Sequence, residues 1–367
     1  MTTFDRHILA RMTAATLLLV GLLIVFFVVL DYLEYVDDFM DRGATMAAVF
    51  GTYYPNYIPE IVRLTSPLAV FLATIYVTGR LAQSLQLVAL QTAGVSLYRL
   101  MVPYALFGVA VTAFMFGFNG WIVPRTNAVV IEFQQEYYKD APGEVETSEL
   151  HRQNRPGSIL SVGFYDRRQQ RAYRVALQDF ADSTGAPGSR RLVRRLDADQ
   201  MEWIDSLGVW RVRGATLRDF DAAGRERRRE VRQLDTTLQV LPRGLARTSR
   251  DAERLTIPEA ADYIEELRRA GADRLGRPLV AYWSKFAYPL ANLLLVFVGV
   301  PLASVRRRGG QAVQLGLGLL IAFVYLALQK LAEPFGYAET VAPVLAAWLP
   351  HAAFALFGVV LLWRVRK

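Results

Sequence analysis

The chain has 367 residues, of which 53% are hydrophobic and only 21% charged. A soluble domain of this size would have to hide more apolar side chains than its surface-to-volume ratio allows, so the composition argues against a soluble protein. The net charge of +8 does not indicate nucleic-acid binding, because the arginines lie beside apolar runs and in one polar insert instead of on one face. Having no cysteine excludes disulfides, iron–sulfur clusters and cysteine nucleophiles.

Six apolar runs come close to the length that a membrane-spanning helix needs, about 17–25 residues. They are Met12–Leu30, Leu64–Gly79, Met101–Pro124, Phe286–Val305, Gly309–Gln329 and Thr340–Trp363. Ile61 and Val62 extend the short second run past Arg63, whose guanidinium is expected to snorkel to the headgroups. The first run is too long for a cleaved signal peptide. The sequence therefore predicts an α-helical membrane protein with three spans in residues 1–124 and three in 277–367.

The basic residues of the short loops predict the orientation in the membrane. One set of flanks carries Arg6, Arg11, Arg80, Arg99, Arg306, Arg307, Arg308, Arg364, Arg366 and Lys367. The opposite flanks carry Asp31, Glu34, Asp37, Asp38, Asp41, Glu333 and Glu339. Because cytoplasmic loops are enriched in Lys and Arg, both termini are expected in the cytoplasm and the insert outside.

Residues 125–276 form a polar insert in which apolar and polar residues alternate, as in strands. Turn signals at Gly185–Gly188, Asp205–Gly208 and Asp221–Gly224 separate these segments and predict an antiparallel β domain, a sandwich or a β-jellyroll. A connecting helix is predicted near 257–270. Four arginines, Arg225 and Arg227–Arg229, are interpreted as a solvated hairpin tip, with binding of an anionic partner as the alternative.

Motifs for catalysis are absent from the sequence. None of the lysines follows a glycine, so there is no Walker A motif, and the chain is not expected to hydrolyse ATP. The three histidines lie far apart without metal-ligand spacing, and no Gly-x-Ser-x-Gly elbow occurs. We expect no catalytic residue, no metal and no cofactor in this chain.

Several motifs in fixed order carry a family resemblance. They are Phe4–Ile8 before the first span, Tyr54–Pro59 with Pro67, Ala82–Gly94, Gly299–Leu302 with Arg306–Gly309, and Pro343–Pro350. With three spans on each side of a β insert, the chain resembles the lipopolysaccharide-export permeases LptF/LptG (YjgP/YjgQ). The stretches Asp5–Ile8 and Trp348–Pro350 lean slightly toward the LptG branch.

This resemblance implies a non-enzymatic permease subunit of an ABC-type exporter in the bacterial inner membrane. Two LptF/LptG-like permeases would pair, bind a dimeric cytoplasmic LptB-like ATPase that holds ATP and Mg, and extract lipopolysaccharide. The periplasmic insert would pass the lipid to LptC/LptA-like bridge proteins. The alternative is a membrane anchor or assembly protein whose β domain recruits periplasmic partners without moving lipid.

The resemblance also assigns a coupling helix near 81–97 that would contact the ATPase. The residues expected there are Ser84, Gln86, Leu87, Leu90, Gln91 and Gly94. Gly94 would permit either a helix end or a close approach of another segment. Leu87 and Leu90 among small residues are typical of a helix lying in a partner's groove, although an interfacial helix that ties two spans together is the alternative. The family usually has glutamate at the position of Gln86, so a neutral hydrogen bond is expected to replace an ion pair.

Lipid contacts are expected at a seam between the first helix of one permease and the fifth of the other. By analogy with the family, the candidates are Phe26, Phe27, Leu30, Leu33, Arg42, Phe323, Leu326 and Lys330. Each is also compatible with ordinary packing or a lipid-facing position. Lys330 and Glu333, spaced i, i+3, are predicted to pair at the outer end of the fifth span. The acidic stretch Asp31–Asp41 argues against direct phosphate binding there. Divalent cations could bridge these side chains to the phosphates, the partner permease could recognise the phosphates, or the lipid could differ. The other interpretation is that the acidic residues only mark the outer flank of the span.

Overall fold

The computed structural model describes residues 2–138, 148–166, 169–182, 190–221, 224–240, 242, 245, 254–269, 275–305 and 310–364. The chain divides into two compact units. The first comprises Met1–Ala141, Ala252–Ala260 and Gly276–Lys367, and the second comprises Pro142–Asp251 and Ala261–Leu275. The basic loop Arg306–Arg308, the predicted turn Gly185–Gly188, and Arg366 and Lys367 lie outside the described residues.

The first unit is a bundle of long helices. Before the insert these are α1 (Thr3–Asp41), α2 (Tyr54–Gln83), α3 (Gln86–Thr92), α4 (Leu97–Gly117) and α5 (Val123–Tyr137). A short helix at Met46–Ala48 and a π-helical turn at Val49–Tyr53 lead into α2, and a second π-helical turn at Phe118–Ile122 joins α4 to α5. After the insert come α7 (Gly276–Ser304), α8 (Gly310–Tyr337) and α9 (Pro343–Arg364), preceded by α6 (Ile257–Arg269), of which only residues 257–260 belong to this unit.

The six predicted spans are confirmed: each coincides with a long apolar helix, and the first three lie wholly inside longer helical segments. The 39 residues of α1 span about 58 Å at 1.5 Å per residue, far more than a hydrocarbon core of about 30 Å. The acidic stretch Asp31–Asp41 therefore continues α1 as helix. The third span likewise continues to Tyr137, so the β domain begins later than the expected residue 125, with its first strand at Ser148.

Burial divides the bundle into a centre and a periphery. Of the most apolar window of each helix, 67% is buried in the α2 segment and 61% in α7, but only 6% in α1. Two apolar clusters build the centre, one around Val70, Tyr104 and Val296, and one around Phe71 and Leu295. Helix α1 therefore offers nearly its whole apolar surface to lipid or to another protein.

The second unit contains one antiparallel sheet of six strands in the order β1-β2-β3-β4-β5-β6. The strands are β1 (Ser148–Arg155), β2 (Ser158–Asp166), β3 (Arg171–Asp182), β4 (Arg190–Ile204), β5 (Val209–Phe220) and β6 (Glu226–Thr236). The inserted all-β domain is confirmed. Its described strands form an up-and-down meander and not the crossover topology of a jelly roll, because each strand pairs with the next along the chain.

The core of the sheet is apolar, and its outside carries paired charges. Trp210 is fully buried and donates from Nε1 to the carbonyl oxygen of Val240 at 2.7 Å. Arg211 on β5 binds the carboxylate of Asp235 on β6 through two hydrogen bonds of 2.9 Å. These bonds hold the pKa of the Asp235 carboxyl below its usual range. The arginines at 227–229 lie exposed on the edge strand β6.

Candidate functional site

An apolar cavity of about 540 Å³ separates α1 from α8, with α2 at its back. Its lining consists of Ala15, Leu18, Leu19, Leu72, Tyr76, Leu315, Gly316 and Leu319. Two glycines on α8 have different surroundings. A side chain at Gly318 would collide with Ile75 on α2, whereas a side chain at Gly316 would meet open space. The close contact of α8 with α2 at Gly318 and the free volume at Gly316 together form one wall of this groove.

Beyond this cavity, toward the N-terminus of α2 and the C-terminus of α8, the residues between the helices are charged. Glu60 and Arg63 on α2 form an ion pair whose side chains are only 17% and 18% exposed. Asn127 on α5 donates to the Glu60 carboxylate at 3.0 Å, and the Arg63 guanidinium lies 5.4 Å from the ring centroid of Tyr288 on α7. The Arg63 guanidinium thus has two partners inside the bundle, Glu60 and Tyr288, and its reach to the headgroups stays a prediction.

Helix α8 joins this cluster through Glu333. The Glu333 carboxylate accepts hydrogen bonds from Tyr288 and, at 3.3 Å, from Tyr337. Lys330 reaches the same carboxylate at 3.2 Å, which confirms the predicted i, i+3 pair. These side chains, with Lys285 and Asn119, line a polar cavity of about 110 Å³.

Lys285 is the most deeply buried cation of this charged cluster. Its residue is only 6% exposed, and Asn119 donates to its backbone carbonyl at 3.2 Å. Sequence reasoning missed Glu60 and Lys285. The available signal was a Glu-x-x-Arg spacing beside one span and a lysine just before another, since ionisable residues within spans usually face the bundle interior and have a function.

The expected lipid-contact residues divide by exposure. On α1, Phe26, Phe27, Leu30 and Leu33 are between 39% and 69% exposed. On α8, Phe323 is 57% exposed, Lys330 is exposed, and Leu326 is half-buried against the bundle core. None of these residues lines the 540 Å³ cavity itself. They cover the neighbouring outward surfaces of the two helices that border it.

At the acidic end of α1, Asp31 is hydrogen-bonded to two tyrosines. Asp31 accepts hydrogen bonds from the hydroxyls of Tyr53 at 3.4 Å and Tyr54 at 3.2 Å. Arg42 lies 3.5 Å from the carbonyl oxygen of Glu136 on α5. Within the described part of the chain, no three metal-ligating side chains lie close enough together to hold an ion. The acidic stretch therefore contains no preformed cation site among these residues.

Helix α3 begins after a sharp turn at the opposite end of the bundle. Leu85 has a φ of +60° and Ser84 donates to the carbonyl oxygen of Arg80 at 2.9 Å, so α2 ends there. Leu87 is only 5% exposed and packs in the core with Ile8 and Leu81, and Leu90 packs against the same cluster. The chain's own bundle thus covers Leu87 and half-buries Leu90, so a partner's groove at α3 stays a prediction that the remaining exposed face of this helix would have to meet.

The free face of α3 is formed by the residues between the two leucines and beside them. Gln86, Val88 and Gln91 are exposed, and Val88 is 48% exposed. Gly94 has a φ of +86°, and the amide of Val95 bonds back to the carbonyl oxygen of Leu90 at 3.0 Å. Of the two predicted uses of Gly94, the structure has the helix end, a left-handed cap that favours glycine.

Comparison with known proteins confirms the family resemblance found in the sequence. The family model described as "Lipopolysaccharide export system permease LptF/LptG" matches residues 6–364. The lipopolysaccharide export system permease protein LptG of Escherichia coli K12 is 20% identical over 342 residues, which cover 88% of each chain. LptG of Escherichia coli O6:H1 matches with the same identity and coverage.

Proposed function

Because the chain belongs to the LptF/LptG family of lipopolysaccharide export permeases, we propose that it is the LptG-like transmembrane subunit of an ABC exporter. It pairs with a second permease and extracts lipopolysaccharide from the inner membrane. A separate dimeric ATPase in the cytoplasm binds ATP and Mg and drives the cycle. This chain supplies the path for the lipid and performs no chemistry on it.

The observation that carries this proposal is the change from apolar to charged side chains along the line where α2 and α8 lie side by side. The cavity beside Gly316 is apolar, and the cluster around Lys330 is charged. Lys330 lies 14 residues beyond Gly316 on α8, which corresponds to about 21 Å of helix. An amphiphile needs this order, since its acyl chains gain from leaving water while its anionic headgroup needs polar partners.

Orientation follows from the same reasoning. With the termini in the cytoplasm, the charged cluster lies at the periplasmic level and the apolar cavity below it. A lipid in the outer leaflet of the inner membrane has its headgroup and chains arranged in this way. The exposed aromatic and aliphatic residues of α1 then face a second permease, which completes the groove.

The β unit is proposed to receive the lipid in the periplasm. Its sheet carries an apolar core with Leu160, Val175 and Trp210 and ends on two edge strands, β1 and β6. An edge strand presents unpaired backbone groups that a neighbouring sheet can pair with. Bridge proteins with sheets of their own would continue the path there.

Two experiments test the proposal. Affinity purification of the tagged chain in mild detergent, followed by mass spectrometry, should recover an ATPase, a second six-helix permease of the LptF kind, and lipopolysaccharide. Recovery of the chain without ATPase and without lipid would instead favour a membrane anchor.

The second experiment asks where the lipid binds. A photo-crosslinking amino acid at Leu319, which lines the cavity, should form an adduct with lipopolysaccharide in cells. The matched control is Leu356 on α9, which is 66% exposed and faces away from the core. Equal adducts at both positions would contradict the groove assignment.

A further inference from the structure

One ion pair joins α1 to the segment that follows the coupling helix. Asp5 in the first turn of α1 is 4% exposed. Arg99 in the first turn of α4 donates from Nη1 and Nη2 to its two carboxylate oxygens at 2.9 and 2.8 Å. Such a bidentate, charge-assisted pair fixes orientation as well as distance. The cytoplasmic end of α1 is therefore bonded to α4, in addition to the bonds within α1 itself.

Asp5 is itself held in place. The backbone amide of Thr2 donates to its carboxylate at 2.8 Å, and the Thr2 hydroxyl accepts from the Asp5 amide at 3.3 Å, which together form a capping box. On the other side, the Ser96 hydroxyl accepts from the amide of Arg99 at 3.3 Å and caps α4. The backbone that carries each partner of the ion pair is therefore fixed by a helix cap.

Apolar packing connects the same end of α1 to the coupling helix. Ile8 on α1 and Leu87 on α3 belong to one buried cluster, and Phe4 and Leu90 pack against it. Only four residues, from Ala93 to Ser96, separate α3 from α4. A displacement of α3 would therefore reach α1 by two routes. One is the contact of Leu87 and Leu90 with α1, and the other is the short connection to α4 and its Arg99.

Helix α1 is also the helix that borders the lipid groove. Ala15, Leu18 and Leu19 line the cavity, 10 to 14 residues beyond Asp5 on one continuous helix. That separation is about 15–21 Å. A shift of the first turn is thus carried to the groove wall by a rigid element.

We propose that Asp5 and Arg99 are positioning residues that transmit movement of the coupling helix to α1 and so open or close the groove. This inference rests on the proposed function. The pair contacts neither ATP nor lipid. Loss of the pair should leave the ATP hydrolysis rate unchanged but reduce the lipid that leaves the membrane in each cycle. The reason is that movement of α3 would no longer be transmitted fully to α1.

The test uses the complex that co-purifies with the chain, reconstituted in vesicles that contain lipopolysaccharide. Asp5→Asn removes the charge but keeps an oxygen for the Thr2 cap, and Arg99→Gln removes the other partner. Lipid released per ATP hydrolysed should fall about three- to tenfold in each, with no further fall in the double variant. Arg99→Lys keeps the charge but loses the two-nitrogen guanidinium, so its lipid release per ATP should lie between that of these variants and that of the unaltered protein.

Two control variants separate this role from a general effect on folding. Thr13→Ala removes an exposed hydroxyl of α1 that bonds to the carbonyl oxygen of Leu9 on the same helix, and Arg6→Gln removes the exposed cation next to Asp5. Both should release lipid as the unaltered complex does. All variants should assemble with the ATPase to the same extent and melt within a few degrees of the unaltered protein.

Equal lipid release per ATP in Asp5→Asn, Arg99→Gln and the unaltered complex would overturn the inference. So would a parallel loss of ATPase binding, because the pair would then be part of the docking surface or of the fold. If the unaltered complex releases no lipid at all, the proposed function fails first, and that outcome is distinct from both.

Discussion

Val88→Asp should detach the ATPase without harming the permease. Val88 is 48% exposed on the free face of α3, whereas its neighbour Leu87 is 5% exposed and part of the bundle core. A surface substitution of this kind changes the free energy of unfolding by about 0.5 kcal/mol or less. The same carboxylate in a partner's apolar groove loses its water without gaining a counter-ion.

The expected loss of docking free energy is about 2–4 kcal/mol, as for a residue at the centre of an interface. Since each 1.4 kcal/mol is a factor of ten, the ATPase should bind about 30- to 700-fold more weakly. Leu87→Ala should show the reverse pattern. It removes a buried leucine side chain and should lower the stability of the bundle by about 2–5 kcal/mol.

The assay combines two measurements on detergent-purified protein. Pull-down of the ATPase with increasing concentrations gives the apparent affinity, and thermal unfolding followed by tryptophan fluorescence gives the stability. Gln91→Ala on the same free face should have a smaller effect on binding, because it adds no charge. If Val88→Asp binds the ATPase normally while Leu87→Ala loses it at unchanged stability, the assignment of the two faces of α3 is wrong.

Three further predictions concern the groove, the end of α3 and the sheet. Gly316→Leu should fill the cavity and reduce lipopolysaccharide crosslinking there at unchanged stability, whereas Gly117→Leu, also in open space, should not; equal loss in both would point to misfolding. Gly94→Ala should destabilise the left-handed cap by about 1 kcal/mol, visible as faster amide exchange over residues 86–92, and unchanged exchange would refute it. The Arg211 hydrogen bonds lower the pKa of Asp235, so their stabilising contribution is complete above the unfolded pKa of about 3.9 and lost as pH falls through the lower folded value. The stability difference between the unaltered chain and Asp235→Asn should therefore shrink in acid, and a difference that grows would contradict this sign.

The sequence by itself was sufficient for the membrane class, the six spans and the inserted β domain. These features follow from apolar run length and from a period of two, which are local properties of the chain. The Lys330–Glu333 pair was also predictable, because helical spacing alone places residues i and i+3 together. The helix end at Gly94 was foreseen as one of two possibilities on the same local grounds.

Only the tertiary structure decided which faces are covered. The pattern Leu87-x-x-Leu90 predicts an apolar face on α3 but not its partner, and the bundle itself covers that face. The charged cluster around Glu60, Lys285 and Glu333 unites residues from helices far apart in sequence. The meander order of the strands was likewise open, since alternation predicts strands but not their neighbours. Burial and charge pairing between distant segments depend on how helices and strands pack, and no local pattern contains that information.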